Sequence, residues 1–255
     1  MNPPNGSSRE LARTIVITGA GSGIGKATAE LLLSQGWNVA LAGRSSHALE
    51  KVSNGHERAL VVPTDVTQSS QVEDLFTQTA ERFGRITTLF NNAGSFGPAV
   101  HIGELTDMQW QALCAVNLTG AINCARTAFN HMKEEGGGRI INNGSISAQV
   151  PRPLSAAYTV TKHAITGLTK SIELDGRPWA ISASQIDIGN TASAIMNQLG
   201  TTTGALQADG SRKVEPTFPL EEAAAAVAFI ANAPASASIN QLTLTAAGMP
   251  FIGRG

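Results

Sequence analysis

Thr14-Ile15-Val16-Ile17-Thr18-Gly19-Ala20-Gly21-Ser22-Gly23-Ile24-Gly25, running on into Lys26-Ala27-Thr28-Ala29-Glu30-Leu31-Leu32-Leu33, is the stretch on which the fold turns. A β-branched run breaks into glycines and then into helix-forming residues, which reads as strand, turn and helix. Gly19, Gly23 and Gly25 permit a tight turn, close approach of backbone to a pyrophosphate and close packing of the helix. With Ser22 and Ile24 between them, they lead into a helix start whose free amides can hold an anion. Glycine-rich turns also serve purely structural ends. The position of this one between strand and helix directs the reading toward a dinucleotide.

Outward from that turn, strands are predicted near 14–18, 38–42, 59–63, 88–91, 138–142, 181–188 and 242–245, each separated by a segment able to hold a helix. Such alternation implies a parallel sheet covered on both faces. The expected fold is therefore α/β, a Rossmann-like doubly wound parallel sheet of about seven strands in a three-layer sandwich. A reversal of strand order would open a crevice at the carboxyl ends of the strands, where the glycine turn, Asp65, Asn92 and Ser145 all fall. Residues 1–10 read as a loose tail and 11–255 as a single domain. The polar, glycine-containing stretch 190–218 reads as a substrate lid before a helix starting near Leu220.

Composition bounds the function. At 255 residues, 42% hydrophobic and 15% charged, the chain can bury a substantial core and fits one α/β domain. A net charge of −1 leaves no electrostatic footprint for nucleic acid or an anionic membrane, so neither is expected as a partner. Cys114 and Cys124 lie off the spacing that would share a helix face, which suggests neither a disulfide nor a metal pair and makes a reducing cytoplasm the default. The leader lacks an apolar core and no apolar run reaches a membrane's thickness, so no signal peptide or span is read. His47, His56, His101, His131 and His163 are scattered, and no metal is expected.

The chemistry is carried by Tyr158-Thr159-Val160-Thr161-Lys162, with Ser145 upstream. On one helix, a spacing of four stacks the tyrosine and lysine on the same face. A phenol ionises near pH ~10 in water. A neighbouring ammonium favours phenolate, which makes tyrosine a usable acid or base for a hydroxyl proton. Ser145 can then hold a carbonyl oxygen.

The spacing Thr18-Gly19-x-x-x-Gly23-x-Gly25 resembles that of the classical short-chain dehydrogenase/reductase family. Further motifs of that family follow in order: Asp65-Val66 after a third strand, Asn91-Asn92-Ala93-Gly94 after a fourth, Asn117 in a helix, then Ser145, Tyr158 and Lys162. The resemblance implies a catalytic group of Asn117, Ser145, Tyr158 and Lys162. Tyr158 would donate a proton to a carbonyl oxygen in reduction, and Lys162 would lower its pKa and hold the nicotinamide ribose. Ser145 would orient the substrate oxygen, and Asn117 would support Lys162 through a water. Asp65 and Val66 would bracket the adenine, while Asn92, Ala93 and Gly94 would let backbone pass close to the ribose. The hydride is the cofactor's.

Cofactor choice is read at the end of the second strand, where Gly43 stands in place of an acidic residue and Arg44 and Ser45 follow. An acid there would bind the ribose hydroxyls of NAD and repel the extra phosphate of NADP. A charge-assisted contact from Arg44 to that phosphate is worth ~1.5–3 kcal/mol, so NADP(H) is expected over NAD(H). After strand six the family usually carries Pro-Gly with a threonine beyond. Here Ile188 replaces the proline, while Gly189 and the hydroxyl of Ser193 match, and Thr191 offers a further contact. The ending Gly248 to Gly255 also departs from the family's, and reads as a subunit-interface segment or a frayed tail. Arg152 reads as an exposed loop arginine rather than an anion site, and Phe96 and Pro98 as a candidate apolar wall. The partner implied is a small carbonyl or alcohol substrate, in a homo-oligomer, tetramer or dimer. An NAD(H)-dependent alcohol dehydrogenase of the same family and a non-catalytic NADP-binding regulator are the alternatives.

Overall fold

The computed structural model describes residues 13–192 and 204–252. Strands β1 (Thr14–Thr18), β2 (Asn38–Gly43), β3 (Ala59–Pro63), β4 (Thr88–Asn91), β5 (Gly138–Asn143) and β6 (Ile181–Ile188) are followed by a short hairpin, β7 (Ala205–Leu206) with β8 (Arg212–Lys213), and by β9 (Gln241–Leu244). Seven of them form one sheet in the order β3-β2-β1-β4-β5-β6-β9, with every pairing parallel. This is the expected doubly wound arrangement. The last strand lies one residue earlier than the sequence suggested, and the β7–β8 hairpin is an addition.

The strands β1, β2 and β4 are buried along their length because both faces are covered, while β5 and β6 carry polar residues toward their carboxyl ends. Ile15, Ile17, Val39, Leu41, Phe90 and Ile141 face one core, with Leu32 and Leu33 of α1 (Gly23–Ser34), Leu49 and Val52 of α2 (Ser46–Ser53), and Val227 and Ile230 of a later helix over Leu220–Ala231. Their neighbours Val16, Ala40, Leu89, Ile140 and Ala183 face the other, against Leu75 and Phe76 of α3 (Ser69–Phe83) and Ala128 and Met132 of a helix over Ala121–Glu134. Side chains alternate across a strand, so one strand feeds two cores and holds three layers together.

α4 (Asp107–Cys114) opens on a reciprocal cap between Thr106 and Gln109. It continues through a π-helical turn, Ala115–Gly120, into α5 (Ala121–Glu134). α6 (Ala156–Gly176) and α7 (Leu220–Ala231) complete the helices named here. β1 has β2 on one side and β4 on the other, so the chain reverses direction across the sheet at this point. The crevice at that reversal collects the ends of β1, β4, β5 and β6.

The lid stretch and the chain end are described only in part. Of the expected lid 190–218, residues 193–203 lie outside the described residues, as do the tail at 1–10 and Ser193. Its remainder is anchored, because Thr191 bridges to Phe218 and the Phe218 amide donates to the Asn190 carbonyl at 3.1 Å. At the chain end, Met249 joins the core of its own chain and Phe251 packs against it. Among the described residues, no helix is long and apolar enough to cross a membrane.

Candidate active site

The glycine turn is built as its residues require. Gly19 has φ +67, and a Cβ there would stand 2.9 Å from Asn92 Nδ2. At Gly25 a Cβ would lie 2.4 Å from the Gly19 carbonyl oxygen, so any larger residue would push α1 off the turn. Ser22 caps α1 in extended backbone and makes no side-chain capping bond. The first-turn amides, around Gly23 and Ile24, are therefore left without a capping side chain, as an anion-binding helix start needs. A turn closed by glycine and a helix end open to an acceptor fit a dinucleotide pyrophosphate.

A chain of hydrogen bonds runs from this turn across the crevice. Thr18 Oγ1 accepts from the amides of Asn92 and Ala93, both at 2.9 Å, and Asn92 Nδ2 donates to the Thr18 carbonyl at 2.8 Å. Asn143 Nδ2 donates to Asn92 Oδ1 at 2.9 Å, and Lys162 Nζ to the Asn143 carbonyl at 2.8 Å. β1, β4, β5 and α6 are thus stitched together where the reacting groups lie. Gly94 lies beside Asn117, whose Oδ1 would be 3.3 Å from a Cβ at that glycine.

Ser145 follows β5 by two residues, Tyr158 sits in the first turn of α6 and Lys162 one turn further on, with Ser145 and Tyr158 on the wall of one cavity of ≈ 90 Å³. Ser145 Oγ accepts the Ser147 amide at 3.1 Å and also hydrogen-bonds the Tyr158 side chain. Phe96 packs its ring 4.8 Å from that of Tyr158 and also lines the cavity, as expected of an apolar wall, whereas Pro98 is not part of the lining. Lys162 is buried, with Nζ 5.6 Å from the Tyr158 ring centroid.

The electrostatics depart from the simple expectation that the lysine draws the phenol down. Burial pushes the Tyr158 phenol above its ordinary value; a hydrogen bond with Ser145 opposes this and the charge of Asp187 adds to it. Burial likewise lowers the Lys162 ammonium to about 8, against the pull of Asp187. In water-poor surroundings the cost of charging the phenol dominates.

The other expected residues are distributed as follows. Asn117 lies on the π-helical turn, where its side chain exchanges hydrogen bonds with the Ser95 backbone, both at 2.9 Å, and donates to Thr161 Oγ1 at 3.2 Å. Thr161 Oγ1 in turn donates to the Tyr158 carbonyl at 2.8 Å, which ties Asn117 to the turn of α6 that carries Tyr158 and Lys162. Asp65 Oδ1 accepts from Thr67 N and Oγ1, and the Val66 carbonyl accepts from Asn123 at 3.0 Å, which fixes this pair at the crevice edge. Arg44 is exposed at the end of β2, and Ser45 Oγ caps α2 through the Ala48 amide at 3.3 Å. Gly189 and Thr191 line the cavity with Ile188 and Ile24. His163 is on the surface. Among the described residues no group of three His, Cys, Asp or Glu side chains is gathered as a metal cage.

Asp187 and Glu215 carry no reading in the sequence, and Arg152 stands in a different environment from the one read. Asp187, wholly buried on β6, accepts the Ser145 amide at 3.0 Å and amide groups of Gln185, Gln149 and Gln241 at 2.7, 2.8 and 2.7 Å. A lone carboxylate in an apolar strand was its available signal. Arg152, read as exposed, has a side chain only 8% accessible and pairs at 2.6 Å with Glu215, which is 2% accessible. Burial would raise the Glu215 carboxyl, but hydrogen bonds from Arg152 and Asn190, the Arg152 charge and a bond from Gln207 hold it down at about 2.

Comparison with known proteins agrees with this architecture. The short chain dehydrogenase family matches residues 13–204. An uncharacterized oxidoreductase of Staphylococcus aureus is 32% identical over 237 residues, 91% of this chain and 96% of its own. Two solved structures share the fold: a 3-ketoacyl-(acyl-carrier-protein) reductase from Brucella melitensis complexed with NADH (TM-score 0.82, 23% identity, covering 92% of this chain and 98% of that one) and an alcohol dehydrogenase from the archaeon Thermococcus sibiricus complexed with 5-hydroxy-NADP (TM-score 0.78, 24% identity, 91% and 96%). With the family match running from the first strand past the sixth, and a relative of 32% identity over 91% of it, the chain belongs to the short chain dehydrogenases, a family of oxidoreductases.

Proposed function

We propose that the protein is an NADP(H)-dependent oxidoreductase that transfers a hydride between nicotinamide and a carbonyl or secondary alcohol carbon, with Tyr158 as general acid and base. The observation that carries this reading is the shared cavity wall of Ser145 and Tyr158, with Lys162 buried behind it and the glycine turn opening beside it. NADPH, when bound, supplies the hydride. Ser145 turns its hydroxyl proton from Tyr158 to the substrate oxygen and holds that oxygen beside the phenol. Tyr158 passes its proton to that oxygen as the alcohol forms and takes it back in oxidation. Lys162 keeps positive charge next to the ring, which limits the cost of transient phenolate, and Asn117, through Thr161, keeps α6 in register with the Ser95 loop. The first-turn amides of α1 hold the pyrophosphate, Asp65 and Val66 the adenine side, Asn92 to Gly94 the central ribose, and Gly189 and Thr191 the nicotinamide end.

The choice of NADP(H) is supported by an exposed Arg44 after Gly43, beside the capped start of α2, with no carboxylate at the strand end. Exposed apolar residues on α4, α5 and α6, namely Met108, Ile122, Val160 and Leu174, support a homo-oligomer. A cytoplasmic site is consistent with two unpaired cysteines. The test is nicotinamide absorbance followed over a panel of carbonyls and alcohols with both cofactors. Tyr158→Phe is expected to lower turnover by about 10²–10⁴-fold, the span of general acid–base catalysis, with cofactor affinity kept. Arg44→Ala is expected to weaken NADPH about tenfold or more and NADH little. Wild-type binding of cofactor without turnover across the panel would favour a regulator instead.

A further inference from the structure

Arg152 stands at an unusual place for an arginine already paired. It lies on the connection between Ser145 and Tyr158 and lines the same cavity, with a side chain 8% accessible. Its Nη2 donates to Glu215 Oε2 at 2.6 Å and to Asn190 Oδ1 at 2.8 Å. Asn190 in turn donates to Glu215 Oε2 at 2.8 Å, and Gln207 to Oε1 at 3.2 Å. Asn190 lines the cavity and Glu215 does not. Among the described residues, every hydrogen bond of the guanidinium leaves from Nη2, and neither Nε nor Nη1 is among the buried polar atoms sealed without a partner. A guanidinium carries five N–H donors in a rigid fork. Part of that fork therefore opens onto the cavity, while its charge is met from behind.

We infer that Arg152 is a specificity-determining residue, which presents its open N–H edge to a second oxygen on the substrate, a neutral carbonyl or hydroxyl near the reacting carbon. This deepens the proposed function and rests on it. A neutral acceptor is favoured over a carboxylate because Glu215 already balances the arginine, so a second anion would meet a neutral pair and leave its own charge poorly compensated. A substrate without the second oxygen would leave buried donors facing an apolar group. Sites built to bond a polar group reject analogues lacking it far more strongly than apolar pockets reject an extra methylene.

The test compares three compact ketones that suit a cavity of ≈ 90 Å³: diacetyl, which carries the neutral second oxygen, pyruvate, which carries a carboxylate, and butanone, which carries neither. Wild-type kcat/KM is expected to rank diacetyl first. Arg152→Gln should lose about tenfold or more on diacetyl beyond its loss on butanone, mainly through KM, as expected for a charged hydrogen bond. Because Arg152→Gln strands a buried Glu215, the double variant Arg152→Gln/Glu215→Gln, which removes both charges, is measured alongside, with NADPH affinity by fluorescence titration to show an intact site. Equal losses on diacetyl and butanone in a variant that still binds NADPH would overturn this inference alone. A wild-type preference for pyruvate would overturn the neutral class. Absence of turnover on all three by a wild type active elsewhere on the broader panel would overturn it too, whereas inactivity everywhere would remove the proposed function and this inference together.

Discussion

Tyr158 combines a raised phenol with a lysine lowered to about 8, and the two have opposite consequences for the two directions of reaction. A phenol lifted above its ordinary value keeps its proton at neutral pH, the form needed to donate to a carbonyl. Carbonyl reduction is therefore expected to be level through neutrality and to fall as pH rises past about 8, where Lys162 loses its charge. Alcohol oxidation needs the phenolate and is expected to climb with pH over the same range. Log kcat/KM against pH, in both directions, checks this, and a reduction rate that rose through neutrality would contradict it. At this scale the sequence is legible where residues are close along the chain. The tyrosine–lysine spacing is local, so a helix alone brings the pair together. The Arg152 environment was misread because Glu215 lies 63 residues away, and no local pattern announces that pair.

β6 shows what an element contributes beyond its own hydrogen-bonded edges. Its Asp187 gathers donors from Ser145, Gln149, Gln185 and Gln241, so the loop carrying Ser145 is held by the strand beneath it and not only by its own turn. Leaving a buried donor unpaired costs about 1–3 kcal/mol. Asp187→Leu is accordingly expected to lower stability by several such increments' worth of denaturant midpoint and to depress kcat more than cofactor affinity, with Asp187→Asn between it and wild type. Equilibrium denaturation and steady-state kinetics on the three proteins check it. The strands are readable within a residue because doubly covered strands are rich in β-branched and apolar residues, and turns between them are marked by glycine and polar residues. The β7–β8 hairpin is not, since two-residue strands have no periodicity to detect.

For the molecule as a whole, the order of strands places every residue of the site at one edge of the sheet, and the seven-strand parallel sheet was legible from alternation alone. What alternation does not contain is which long-range pairs close the site, such as Thr18 with Asn92 or Asn143 with Lys162 through its carbonyl. A cofactor laid across that edge would tie the α1 turn to the β4, β5 and β6 ends. NADPH at a hundredfold excess over its Kd is expected to add about 2.7 kcal/mol of stability. At about 2–4 °C per kcal/mol for a chain of this size, that is a rise of roughly 5–11 °C in Tm. Calorimetry with and without NADPH measures it, and an unmoved transition would count against binding at this edge. The π-helical turn at Ala115–Gly120 has a consequence of another kind. Such a turn is how a helix absorbs one surplus residue. Deleting a single position there would let Asp107 to Glu134 run as one regular α-helix, and would swing Asn117 away from Ser95. The shortened protein would trade reactivity for a tidier backbone.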